Sequence, residues 1–238
     1  AALLGAEPVI TSATEVQQLQ ALDLLGEHYG WQRGEGDWTE VASVLAQRQP
    51  ISVHQTCGES LWRQMLPEES PFCFLEQATA DSDLGDSPRL WISDQLPPSQ
   101  NSEEQAPEVR WHPRTLWVGL GCERGTSAEL IEASIRQVLQ DNNLAWQSVA
   151  GIASIDLKHD EVAFQSLAEQ YQWPLQFFSA AQLAKPSVPN PSDVVAQAVG
   201  TPSVAEAAAL LASQSETLVI TKQVFKGDGA CTIAVARA

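Results

Sequence analysis

The chain has 238 residues, 44% of them hydrophobic, which is longer than one typical domain and enough to build two modest cores. Its formal charge of −17, from 13 basic and 30 acidic residues, gives a surface that repels phosphate backbones and argues against nucleic acid as a partner. No apolar run reaches the roughly 18 residues of a membrane span, and four scattered cysteines (Cys57, Cys73, Cys122, Cys231) without a C-x-x-C pair suggest no zinc site or disulfide framework, but a reducing, cytoplasmic setting.

The first residues, AALLGAEPVITSA, show neither an initiator Met nor a signal-peptide pattern, so a fragment or processed chain is expected. Residues 6–16 read as a short strand and turn. Val16, Leu19, Leu22 and Leu25 then form a helical stripe that ends at Tyr29–Gly30. A second helix is expected from Trp38 to Gln47, with Asp37 as its cap and Trp38, Val41, Val44 and Leu45 on one face. PISVHQT and RLWISD read as strands separated by turn chemistry at DSDLGDSP. The proline-rich, acidic stretch Pro97–Pro107 reads as a linker, and the domain boundary is placed there. Charge changes across it: residues 1–112 hold 5 arginines, no lysine and 18 acidic residues, whereas residues 113–238 hold 8 basic and 12 acidic ones. An anionic ligand is therefore expected in the second half.

Beyond the linker, Leu116–Leu120 reads as a strand, and Ala128, Ile131, Ile135, Val138 and Leu139 mark an amphipathic helix with Glu132 and Arg136 paired on its wet side. VAGIASI (149–155) is apolar throughout, as a strand buried on both faces should be. Asp160 is expected to cap a helix through Val162, Phe164, Leu167 and Ala168, followed by a third strand, LQFF (175–178). SDVVAQAVG runs from a Ser192 cap to Gly200, and TPSVAEAAALLAS has Thr201 as cap, Pro202 at the first helical position and Ser203 with Glu206 as a capping box. TLVITKQVF and ACTIAVARA flank KGDG, a hairpin signal. The order predicts an α/β chain: a C-terminal domain with a mostly parallel open sheet, an antiparallel edge hairpin and helices on both faces, preceded by a smaller α/β middle region.

Three features carry candidate chemistry. VGLGCERGTSAELI (118–131) has the spacing G-x-G-x-x-x-G, which is not the dinucleotide fingerprint, and no acidic residue follows where a ribose partner would sit. It also lacks the Gly-Lys-Ser/Thr ending of a P-loop. What remains is a glycine turn, with Gly121 and Gly125, before a helix start at which Thr126 and Glu129 fit a capping box. Either that turn is purely structural, or its free N–H groups hold a carboxylate or phosphate, with Arg124 and Ser127 close by. GTPS (200–203) repeats the pattern. SIDLKHDE (154–161) emerges from a buried strand: Asp156 offers a base and Lys158 a group for a ligand carboxylate or an oxyanion, unless the segment is only a solvated turn. Lys222 adds a positive group or simply guards an edge strand. His54, Cys57 and Glu59 lie close together but make a poor metal set, and the eight tryptophans read as packing anchors.

The blocks GLGCERGTSAELIEASI, ASIDLKHDE, PLQFFSAAQL, VPNPSDVVAQAVGTPSVAEAAALL and TKQVFKGDGACTIAVARA, in that order, resemble the C-terminal domain of the cobalt-precorrin-5A hydrolase (CbiG) family of cobalamin biosynthesis, and the stand-alone CobE proteins. The resemblance implies three segments: residues 1–30 as the tail of an N-terminal domain, 31–112 as a variable middle region with a linker near 97–108, and 113–238 as the CobE-like domain. It also implies a reaction, in which the δ-lactone of cobalt-precorrin-5A is opened and acetaldehyde released to give cobalt-precorrin-5B. The ligand would be a carboxylate-ringed tetrapyrrole, with cobalt present only as part of it and no separate cofactor. Gly121, Arg124, Gly125, Thr126, Ser127, Lys158, Thr201, Ser203 and Lys222 are then candidate binding residues, and Asp156 and Glu123 candidate catalytic ones. Most of the family's N-terminal domain, with its SGH-GGAN-like motif, has no counterpart in these residues. The alternative is therefore a corrinoid-binding module without chemistry of its own, which a larger fusion with a precorrin methyltransferase could contain. Other cobalamin-pathway enzymes are expected partners.

Overall fold

The computed structural model describes residues 21–74, 87–97 and 106–238. Its contacts form two units. The first ends at Pro113 but gives up Asp94 and the few residues after it to the second, which otherwise runs from Arg114 to Ala238.

In the first unit, strands β1 (Gln32–Gly36), β2 (Ile51–Gln55), β3 (Phe72–Phe74), β4 (Arg89–Ile92) and β5 (Glu108–His112) make one sheet in the order β1-β5-β4-β2-β3. Only β1 is antiparallel to its neighbour. The helix α1 (Trp38–Ala46) starts where the sequence predicts, with the Asp37 carboxylate accepting the Glu40 N–H. Its Trp38, Val41 and Leu45 are buried with Trp62, Val53, Leu90, Ile92, Val109 and Trp111 in one apolar cluster. The strands β1, β3 and β5 were not expected: they are short, and β1 has no apolar residue to mark it. The helix expected across residues 16–29 is not continuous. Its described part forms turns and a 3-10 turn at Glu27–Tyr29, closed by Gly30. The Trp111 indole N–H donates to the Leu22 carbonyl at 3.1 Å, an acceptor that a longer helix would use itself. Val16, Leu19, most of DSDLGDSP and most of the linker lie outside the described residues.

The second unit is a mixed sheet with the expected parallel part and edge hairpin. Its strands β6 (Leu116–Cys122), β7 (Val149–Ile155), β8 (Leu175–Phe178), β9 (Leu218–Gly227) and β10 (Gly229–Arg237) lie in the order β8-β7-β6-β10-β9. β6, β7 and β8 run parallel, while β10 and β9 form the antiparallel edge hairpin. On one face α2 (Ala128–Asp141) and α3 (Val162–Tyr171) bury Ile131, Ile135, Val138, Phe164 and Leu167 against Val118, Leu120 and Ile152. On the other lies α6 (Ala205–Ser213), after the short helices α4 (Ala180–Leu183) and α5 (Asp193–Val199).

The alanine run explains how closely α6 sits. Ala205, Ala208 and Ala209 meet Ala153, Ala234 and Ala236, and a Cβ built at Gly119 would lie 1.9 Å from the Ala205 carbonyl oxygen. Gly119 and Gly121 are therefore strand residues in β6 that admit a helix, not members of a phosphate loop. Only Gly125, at φ 77°, makes the turn.

Candidate functional site

The carboxyl ends of β6 and β7 and the start of α6 enclose a cleft of about 670 Å³. Val194, Val195, Ala198 and Val199 of α5 form one apolar wall, continued by Val204, Ile155 and Val224. Helix α5 buries none of its own residues, and Val194 and Val224 remain exposed. Ser192 caps α5 and Gly200, at φ 77°, ends it, both as the sequence predicts.

Among the described residues two lysines, one carboxylate and the hydroxyls of Ser192, Ser203 and Thr232 supply the polarity. Lys158 follows β7 in a 3-10 turn, and its ammonium donates to Glu161 Oε2 at 3.0 Å. The other Glu161 oxygen accepts the Gly125 N–H at 2.9 Å. Burial alone would raise the Glu161 carboxyl, but hydrogen bonds from Lys158 and Gly125 and the Lys158 and Arg124 charges outweigh it and hold it below the usual carboxylate value. Beside this pair the Cys122 thiol is pushed up to about 11, chiefly by burial, with the Lys158 charge pulling the other way. Lys222 on β9 donates its ammonium to the Asn190 carbonyl at 2.8 Å. Among the described residues Glu123 is the one carboxylate on the cleft, and Ser203 lines it with a buried hydroxyl that has no hydrogen-bond partner.

Of the predicted binding residues, Gly121, Lys158, Ser203 and Lys222 are brought together on the cleft with Glu123. The others are placed differently. The cap of α2 is Ser127, whose hydroxyl accepts the Leu130 N–H, and not Thr126. Thr126 is buried, and its hydroxyl is within hydrogen-bond distance of the Glu123 and Ala230 carbonyls, at 2.9 and 3.1 Å, which ties the turn to β10. The Gly125 N–H expected to face a ligand is taken by Glu161. Arg124 is exposed and pairs with Asp160 at 3.0 Å, so Asp160 is an ion-pair partner, and α3 begins instead after Glu161 with no side-chain cap. Asp156 is exposed and lies outside the cleft lining.

The GTPS end also differs from its prediction. Helix α6 starts at Ala205 after Val204, without a side-chain cap, and Thr201 is fully buried with its hydroxyl toward the Ser203 carbonyl. Glu206 forms no capping box. It is completely buried and accepts from the Asn190 backbone N–H, the Asn190 amide and the Lys222 N–H. These three bonds fasten the segment before α5 and the strand β9 to α6. Sequence reasoning missed Glu161 and gave Glu206 the wrong role. A glutamate inside an alanine run, and one three residues after a lysine at a strand end, were the available signals.

Among the described residues no helix is long and apolar enough to cross a membrane. The sequence model of a family described as "Cobalamin synthesis G C-terminus" matches residues 116–236, and that of a "Cobalamin biosynthesis central region" matches residues 20–113. The chain is 33% identical over 239 residues to a cobalt-precorrin-5A hydrolase of Priestia megaterium, covering 99% of this chain and 63% of that protein. It is 31% identical over 223 residues to the cobalt-precorrin-5A hydrolase of Salmonella typhimurium, covering 92% of this chain and 61% of that one. A CobE protein of Sinorhizobium sp. matches at 32% identity over 121 residues, half of this chain and 79% of its own length. The chain thus spans less than two thirds of either hydrolase.

Proposed function

The chain belongs to the cobalamin synthesis G family, and on that premise we propose that it is the substrate-holding part of a cobalt-precorrin-5A hydrolase. The ligand in this reading is a tetrapyrrole, flat and apolar across its ring and rimmed with acetate and propionate carboxylates. The reaction opens the δ-lactone with water and frees the two-carbon unit as acetaldehyde, leaving cobalt-precorrin-5B. Cobalt enters only with the substrate, the chain works in the cytoplasm, and other enzymes of the pathway supply and take up its intermediates.

The observation that carries the reading is the cleft. It has a wide apolar wall on α5, and its two lysines belong to the turn after β7 and to β9, strands that lie three spacings or about 14 Å apart across the sheet. That spread suits two carboxylates on a broad ring better than one small anion. The Ser203 hydroxyl, buried without a partner, is a further group for a rim carboxylate or carbonyl to satisfy. Glu123 is the base in this reading, placed to take a proton from the attacking water, a role worth about 10²–10⁴ in rate. Lys158 stabilises the oxyanion that develops on the lactone carbonyl, and Lys222 orients the far edge. Asp156, outside the cleft, receives no role.

One observation favours the second reading, a corrinoid-binding module without chemistry. Among the described residues the cleft offers a single carboxylate, and its Cys122 thiol stays protonated near neutral pH and so is no nucleophile. Incubation of this chain, and of a full-length relative, with cobalt-precorrin-5A separates the two. Hydrolysis predicts acetaldehyde from the chain itself and its loss in Glu123→Gln with binding retained. Saturable corrinoid binding without acetaldehyde assigns the module reading. Absence of binding, or binding unchanged in Lys158→Ala and Lys222→Ala, overturns both.

A further inference from the structure

We propose that the first unit carries a binding site of its own, for a small molecule bearing a carboxylate or phosphate, with Arg89 and His54 as donors. Strand alternation creates it. Val53, Leu90, Ile92, Val109 and Trp111 turn to the core under α1, so Ser52, His54, Arg89, Trp91, Glu108 and Arg110 share the opposite face. Parallel pairing sets them in two rows, Ser52–Arg89–Glu108 and His54–Trp91–Arg110.

Most of this face is satisfied internally, and the exceptions are adjacent. The Trp91 indole N–H donates to Glu108 Oε2 at 3.0 Å, and Arg110 Nη2 donates to Glu108 Oε1 at 2.6 Å. The Arg110 guanidinium also lies 5.3 Å from the Trp91 ring centroid. The Arg89 side chain, by contrast, is half-buried and makes no hydrogen bond or ion pair among the described residues. His54 stacks on Trp91 with ring centroids 4.2 Å apart and planes 22° off parallel, and it is 8% exposed. Its Nδ1 is buried and has no partner among the described residues.

A buried ring nitrogen without a partner forgoes stabilisation unless something fills it, and the partly exposed Arg89 guanidinium beside it has no side-chain partner among the described residues. Two positions along one strand and one across, Arg89 and His54 have backbones about 8 Å apart, a gap that an oxyanion between the side-chain tips would bridge. Burial, and then the Arg89 charge, lower the His54 pKa despite Glu108, so the ring is neutral near pH 7 and can donate one N–H. Arg89 and Arg110 against Glu108 leave a net positive spot in a half of the chain that is otherwise strongly acidic. That inversion of local charge is what an anion site requires.

The test is titration of the whole chain with inorganic phosphate, and separately with acetate, against chloride at constant ionic strength. The imidazole nitrogen resonances of His54 are followed by NMR and assigned with His54→Gln. The site predicts a saturable His54 shift with one or both anions, and the responding anion identifies the ligand class. Arg89→Gln, which breaks no internal bond and should leave the fold intact, weakens it at least tenfold, and Arg89→Lys recovers part of the loss. Lys158→Ala, in the cleft, leaves it unchanged, so the outcome stands apart from the corrinoid reading. A His54 shift no larger than the chloride control, or an equal shift in Arg89→Gln, overturns the proposal.

Discussion

Replacing Glu161 by alanine tests the keystone of the cleft. The carboxylate is 4% exposed, bonds Lys158 at 3.0 Å and accepts the Gly125 N–H at 2.9 Å. Its removal strands an ammonium whose side chain is 14% exposed and leaves one backbone donor unfilled. Deleting one partner of a buried ion pair costs about 3–5 kcal/mol. Because Lys158 lies on the cleft and can reach water, the lower end applies: about 3 kcal/mol, or roughly 150-fold in the folding equilibrium. Urea unfolding should show a lower midpoint at unchanged m. Lys158→Ala should cost a comparable amount, and the double variant about 1–3 kcal/mol less than the sum of the two.

The effect also has a pH signature. The Glu161 carboxyl titrates below its ordinary 4.5 in the folded state, so its contribution is complete above that value and is lost as pH falls through the lower folded one. The gap between wild type and Glu161→Ala should therefore stay level from neutral pH to about 5 and narrow in more acid solution. Costs that add to within about 0.5 kcal/mol would refute the coupling, and with it the claim that Glu161 holds Lys158 and the Gly125 turn together.

Gly119→Ala drives a methyl to 1.9 Å from the Ala205 carbonyl oxygen, a backbone atom that cannot swing aside. Overpacking should cost about 1–3 kcal/mol or more, seen as a lower Tm. Cys122, with its thiol near 11 instead of the ordinary 9.0, should be alkylated by iodoacetamide about 100-fold more slowly at pH 8 than a free thiol, with the rate rising up to about pH 11. Ser203→Ala removes a buried hydroxyl that bonds nothing, so stability should hold or rise slightly while corrinoid affinity falls.

Local chemistry in the sequence determined most of the second unit. The alternation of apolar runs and amphipathic helices, the Ser192 cap, the Gly200 stop and the KGDG hairpin specify elements whose cause lies within a few residues, and the structure has them. In the first unit the same signals mark α1, β2 and β4 but not β1 or β5. Those strands take their conformation from neighbours distant in sequence, as the pairing of Gln32 with His112 shows. Lys158 and Ser203, which line the cleft, were legible because they sit where a strand ends or a helix begins, whereas Lys222 reaches it from the middle of β9. The caps were misassigned because Thr126 and Thr201 look like cap residues locally, whereas burial directs both hydroxyls to backbone carbonyls. Only the tertiary structure decides that Glu161 occupies the helix-end donor at Gly125 and that Glu206 is a buried clamp. A carboxylate's partners are set by which strands lie side by side, and hydrogen bonds across 16 or 36 residues leave no period in the chain to read.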